Sequence, residues 1–226
     1  MSRVDDILHE LRDRLVSNSI SYTSASAAND VYEGFVFALV VDTAAGLGAQ
    51  VFYEDVHGRR TGDLLFRTSP GRLHSTRYPY THAVVAFDGT PELEVHVGVY
   101  VQGNSGVLHE CDVLVLNRSE AVECRRFGVI PRCRRCLLAI ECKYYCSGLP
   151  LGQARAFVGL NADLGSNKAL FVANVTSDSV IRYLDHRKTN WEHHVLPGNP
   201  QVEHLCSELR KVFRRHVSQF NPRLSM

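Results

Sequence analysis

The sequence predicts an α/β domain, helices layered on a mixed β-sheet, and three observations lead there. The chain has 226 residues, enough for one sizeable hydrophobic core or a core with a small accessory element. Its composition, 45% hydrophobic and 22% charged, is that of an ordinary globular protein and excludes disordered and fibrous classes. The order of hydrophobic patterns is helix, several strands, helix, strand, helix, which suits a layered domain with a mixed sheet. The longest apolar segment, Phe35 to Val41, falls far short of the roughly 20 residues that span a bilayer.

Taken in order, Val4, Ile7, Leu8, Leu11 and Leu15 recur at three and four residues, so Arg3 to Val16 is expected to form an amphipathic helix. The polar, Ser- and Ala-rich stretch Ser17 to Ala28 reads as a linker. Asn29 or Asp30 can cap a second helix from Val31 to about Ala45, ended by Gly46 and Gly48. Short strands follow at Gln50 to Tyr53 and Asp63 to Arg67, and longer ones at Thr81 to Phe87 and Leu93 to Gln102. In the last of these Leu93, Val95, Val97, Val99 and Val101 alternate with Glu94, His96, Gly98, Tyr100 and Gln102, a period of two.

A turn at 103–106 leads to a strand from about Val107 to Leu116, and a polar, Arg-rich segment runs from Asn117 to Arg135. Leu137 to Tyr145 is a further strand, and Pro150 precedes a helix from Leu151 to Leu164. Ala169 to Val175 reads as a short buried strand, and Val180 to Asp185 as a helical turn. Val202 to about Val217 is a last amphipathic helix, with Leu205, Leu209, Val212, Phe213 and Val217 on one face. These boundaries divide the chain into an N-terminal helix and linker (1–28), a core (29–185) and a C-terminal segment with its helix (186–226).

The N-terminal stretch mixes Asp5, Asp6, Glu10 and Asp13 with arginines, unlike the acid-free run of a signal peptide, so a cytoplasmic location is expected. The 7 cysteines are then expected as free thiols, many of them in the core. Cys133-x-x-Cys136 with Cys124 upstream offers a weak zinc pattern, because no second pair stands at a similar spacing. The 11 histidines read as satisfied or solvated side chains rather than ligands. With a net charge of +1, any signal for nucleic acid must be local, and it is found in Arg125, Arg126, Arg132, Arg134 and Arg135. A solvated loop would also account for such a cluster.

Chemistry is concentrated on two strand candidates. Asp112 leads into the apolar tetrad 113–116, and the apolar strand Leu137 to Tyr145 is broken by Glu141 and Lys143. Residues two apart on a strand share a face, so Glu141 and Lys143 project together while Ile140 and Cys142 face the other way. An acid and a base within an apolar strand are costly unless paired or bound to metal. Two carboxylates from neighbouring strands suit Mg2+, which binds few carboxylates and keeps several waters. Glu110, two residues before Asp112, shares its face in a regular strand.

The run His109-Glu-Cys-Asp112-Val-Leu-Val-Leu, followed by Leu138-Ala-Ile-Glu141-Cys-Lys143-Tyr-Tyr, a helix with Gln153 and the strand Ala169-Leu-Phe-Val-Ala-Asn, resembles the PD-(D/E)XK nuclease superfamily. Within that superfamily it is most similar to the Mrr-like restriction endonucleases. The resemblance implies a restriction-endonuclease-like core, a mixed central sheet flanked by helices in the order α-β-β-β-α-β, with extra N-terminal strands and terminal helices. It implies metal-binding and catalytic roles for Asp112 and Glu141, a catalytic role for Lys143, and support from Gln153. It also implies an acid on the helix before the sheet. Glu33 fits best, although a Glu near a helix start also suits the helix dipole.

The chain departs from the family in the long segment between the two motif strands. The function implied is a Mg2+-dependent endonuclease acting on DNA, with Mn2+ as a substitute ion, in restriction or phage defence. Double-strand cleavage needs two sites and so points to a homodimer; a further protein could supply specificity. The alternative is a catalytically inactive module of the same fold that binds nucleic acid or a protein partner.

Overall fold

The computed structural model describes residues 3–165 and 168–220. Its centre is a seven-stranded mixed sheet in the order β2-β4-β5-β6-β7-β8-β9. The strands are β2 (Gln50–Asp55), β4 (Thr81–Ala86), β5 (Leu93–Gln102), β6 (Leu108–Asn117), β7 (Cys136–Lys143), β8 (Ala169–Ala173) and β9 (Trp191–Glu192). From β2 to β7 neighbours run antiparallel, while β8 and β9 are parallel to β7. The switch follows from the connections. Short links join β4 to β5 and β5 to β6, longer segments join β2 to β4 and β6 to β7, and a crossover helix, α4 (Leu151–Leu164), lies between β7 and β8.

Helices cover both faces. On one, α1 (Arg3–Arg14), α2 (Ala28–Gly46) and α6 (Pro200–Phe220) share a core with Val95, Val97, Val113, Val115 and Ile140. On the other, α3 (Arg118–Phe127), α4 and α5 (Asp178–Arg187) pack over Leu114, Leu116, Ala139 and Phe171. Helix α2 is apolar nearly all round because it lies between the sheet and the two terminal helices. Its one interior glycine, Gly34, is needed there: a Cβ would stand 2.7 Å from the ring of Tyr22 and 2.8 Å from Leu11.

Several expectations change in detail. The stretch 17–28 is not wholly irregular, because β1 (Ser19–Ile20) pairs in parallel with β3 (Asp63–Leu64) and Tyr22 is buried. Neither Asn29 nor Asp30 caps α2; Ala27 holds that place, with no side-chain cap, and Glu33 stands in the second turn. The Arg-rich segment contains a regular helix, α3, closed by Gly128 in the left-handed conformation. Its polar outer face hid the short apolar contact made by Ala121 and Cys124.

One irregularity shapes the functional region. Gly98 has φ +61°, and the apolar phase of β5 reverses there: Val95 and Val97 face one core, Val99 and Val101 the other. Its partner β6 reverses in step, with Val113 in the first core and Cys111 in the second. The β5–β6 hairpin therefore bends, and its tip reaches the end of α4. There Asn104 and Ser105 bond Asp163, and His109 Nε2 lies 2.6 Å from its carboxylate. Asp112 lies at the bend.

Candidate active site

The pairing of β6 with β7 sets Val113 opposite Ile140 and Leu114 opposite Ala139. Carried one residue further, that register brings Asp112 beside Glu141. Instead of continuing the ladder, the Asp112 carboxylate accepts a hydrogen bond from the backbone N–H of Cys142 at 2.6 Å. This bond is possible because the hairpin bends away at Gly98, leaving that amide of β7 without a strand partner on this side. Lys143 completes the group: its Nζ lies 2.6 Å from Glu141 and 3.6 Å from Asp112.

Around this trio the acids crowd one another. Burial, with Glu141 and Glu110 acting the same way and Lys143 and the Cys142 amide opposing, raises the Asp112 carboxyl to about 7. Burial together with Asp112, Asp30 and Glu110, opposed by Lys143, raises Glu33 to about 9. Glu110 is raised by burial and by Glu141. Burial works against the charge on Lys143, but Asp112 and Glu141 outweigh it, so the ammonium titrates above its ordinary value. Four acids and one lysine, drawn from α2, β6 and β7, thus share one electrostatic site. Such a site attracts a cation, since a bound ion favours the charged form of every carboxylate in it.

Asn174, at the end of β8, is a positioning residue with no signal in the sequence. It is buried; its side chain accepts from Tyr145 N–H at 2.8 Å and donates to Tyr145 O at 2.9 Å. Its own N–H donates to Lys143 O at 3.1 Å. The backbone that carries Lys143 is thereby tied to the neighbouring parallel strand. Gln153 is half-buried in the first turn of α4, and its side chain makes no hydrogen bond among the described residues.

The arginines separate into two kinds. Arg125 is bound to the buried Glu94 through both terminal nitrogens, at 2.5 and 2.9 Å. Arg132 pairs with Glu120 at 2.8 Å but stays 57% exposed at its side chain, and Arg135 is 62% exposed. Arg134 is exposed as well, and Arg126 lies over the ring of Phe127. Arg132, Arg134 and Arg135 line a concavity with Gln102, Asn104 and Gly106 of the hairpin tip. That concavity is at the start of β7, whereas Glu141 is five residues along the strand, about 17 Å away at ~3.3 Å per residue. The cysteines make no metal site: among the described residues, the group of three His, Cys, Asp or Glu donors within 4.8 Å of one another is His82, Glu94 and His96.

The crowding has a consequence for stability. Asp112 binds a proton in the folded protein up to about pH 7, while the unfolded carboxyl releases it near 3.8. Between these values the folded state holds the extra proton, so stability falls as pH rises through that window and levels off above it. Asp112→Asn, which can still accept from Cys142, is expected to stabilise the chelator-treated protein at pH 8 by on the order of 3 kcal/mol, with a much smaller gain at pH 4.5. Urea denaturation at the two pH values measures it; an equal change at both would refute the linkage.

No family model, curated protein or solved structure matches this chain.

Proposed function

We propose that this chain is a metal-dependent endonuclease that hydrolyses phosphodiester bonds in DNA through a site of the PD-(D/E)XK type, acting in restriction or phage defence. The observation that carries the proposal is the meeting of Asp112, Glu141 and Lys143 across two adjacent strands, with the lysine ammonium within 3.6 Å of both carboxylates. The order α2, β5, β6, β7, α4, β8, with three antiparallel strands and a fourth parallel to the third, supports a restriction-endonuclease-like core.

The donor set fits Mg2+, with Mn2+ as a substitute: Asp112 and Glu141 offer hard oxygens, and the carboxyl of Asp112, raised by burial and by Glu141, is one whose charge a cation would favour. The ion, when bound, supplies Lewis-acid polarisation of the phosphate and a more acidic water. Lys143 orients the attacking water and neutralises charge that builds on the phosphoryl oxygens. Glu33, raised to about 9 without an ion, supports these acids from α2. Gln153 enters only as a contact to bound substrate.

Arg126, Arg132, Arg134 and Arg135 would meet the phosphate backbone away from the reacting bond, which gives affinity without sequence information. Arg125 is already committed to Glu94. A homodimer would supply two sites for double-strand cleavage, and a separate specificity protein would select the target. No helix among the described residues is long and apolar enough to cross a membrane.

Incubation of plasmid and linear DNA with purified protein in Mg2+, Mn2+ or EDTA tests the proposal, with Glu141→Ala as control. Metal-dependent nicking or linearisation, absent in EDTA and in the variant, is the expected result. Intact DNA under every metal, bound equally by both proteins, would replace it with the inactive binding module.

A further inference from the structure

A second cluster of ionisable groups lies under α3, apart from the candidate active site. The antiparallel register sets Glu54 of β2 opposite His82 of β4. The register of β4 with β5 pairs Ala83 with Val95 and, carried one residue further, places His82 beside His96. Glu94 lies two residues from His96 and so shares its face. The result is a row of Glu, His and His across three strands, with a second glutamate alongside. His82, Glu94 and His96 are each 0% exposed, and Glu54 is 5% exposed.

The donor atoms converge. His96 Nε2 is 2.8 Å from Glu94 Oε2; His82 Nε2 is 3.5 Å from that same oxygen and 3.6 Å from Glu54 Oε2. Around one four-coordinate ion with bonds of roughly 2.0–2.2 Å, neighbouring ligand atoms stand about 3.3–3.5 Å apart. The observed separations bracket that value. Both ring nitrogens of His82, and Nδ1 of His96, lack a hydrogen-bond partner despite complete burial. A buried histidine with neither nitrogen bonded is costly, and the cost calls for an explanation.

We propose that His82, Glu94 and His96 form a buried binding site for a divalent transition metal of the zinc class, structural in role and separate from the Asp112–Glu141 site, with Glu54, 3.6 Å from His82, alongside to supply a fourth ligand on binding. Arg118 bonds Glu54 at 2.8 and 3.0 Å, and Arg125 bonds Glu94 through both nitrogens; they orient the two carboxylates as partners of metal ligands commonly do. Tyr80 packs against both imidazole rings, and the Arg67 guanidinium lies over the Tyr80 ring, 3.8 Å from its centroid. An ion adds positive charge beside two guanidinium groups, so the site favours a metal that binds imidazole strongly over Mg2+ or Ca2+. Complete burial means that the ion enters as the chain folds.

The test is to unfold the full chain in chelator, refold it with zinc or cobalt(II), and measure bound metal after desalting. About one zinc per chain is expected in the wild type and in Glu141→Gln, with a loss of about tenfold or more in His96→Gln. Cobalt(II) in the wild type is expected to show the intense visible bands of a four-coordinate ion with nitrogen ligands, a readout that stands even where His96→Gln does not fold. Wild type that retains no metal would overturn the proposal. So would metal lost in Glu141→Gln but kept in His96→Gln, or a weak six-coordinate cobalt spectrum. DNA cleavage plays no part in these readouts, so this site and the nuclease proposal stand or fall separately.

Discussion

Lys143→Ala is expected to lower the rate of DNA cleavage by about 10²–10³-fold, the range seen when one electrostatic stabiliser of a transition state is removed. DNA affinity should change little, because the exposed arginines lie at the other end of β7. The physical basis is the position of Nζ, 2.6 Å from Glu141 and 3.6 Å from Asp112, on the strand that also carries Glu141. Truncation removes the charge that offsets these carboxylates and would neutralise the reacting phosphate. Loss of metal affinity is a separate effect, and a titration of Mg2+ distinguishes them: a deficit that survives saturating ion belongs to the chemical step. Lys143→Arg keeps the charge but not the compact ammonium, so only partial recovery is expected. Single-turnover cleavage by the folded variant at the wild-type rate would remove Lys143 from the mechanism.

Arg125→Ala is expected to destabilise the protein by about 3–5 kcal/mol, because it leaves a buried carboxylate without its strongest partner. Glu94 is 0% exposed, and Arg125 binds both of its oxygens. Burial works against the charged form of Glu94, yet nearby His82 and the hydrogen bonds from His96 and Arg125 hold it well below the usual carboxylate range. For a chain of this size the loss corresponds to roughly 10 °C in melting temperature. Urea denaturation of the wild type and the variant measures the effect. A change below about 1 kcal/mol in Arg125→Ala, with DNA binding weakened instead, would return Arg125 to the nucleic-acid surface.

The two arginine environments explain why the sequence pattern was ambiguous. Arg125, Arg132, Arg134 and Arg135 look alike in a polar stretch, and a helix with only a narrow apolar stripe was hidden within it. In the fold, α3 turns Arg125 down onto Glu94 of β5, 31 residues away in the chain, while Arg134 stays exposed on the short turn before β7. No periodicity reports a partner at that distance. The same holds for His82 and His96, which stand in separate strands and meet only through the register of β4 with β5.

By itself the sequence determined the elements with strong local periods. Alternation marked β5 over Leu93–Gln102, the three-and-four spacing marked α1 and α6, and Pro150 marked the start of α4. It also placed Glu141 and Lys143 on one strand face, because a two-residue spacing is a local property of extended backbone. Tertiary structure alone decided what those side chains meet. The bend at Gly98 freed the Cys142 amide for Asp112, the return of β8 supplied Asn174, and strand register gathered two histidines and two glutamates beneath α3. Backbone pattern depends on neighbours within a few residues, whereas charge, burial and proton affinity depend on groups brought close from anywhere in the chain.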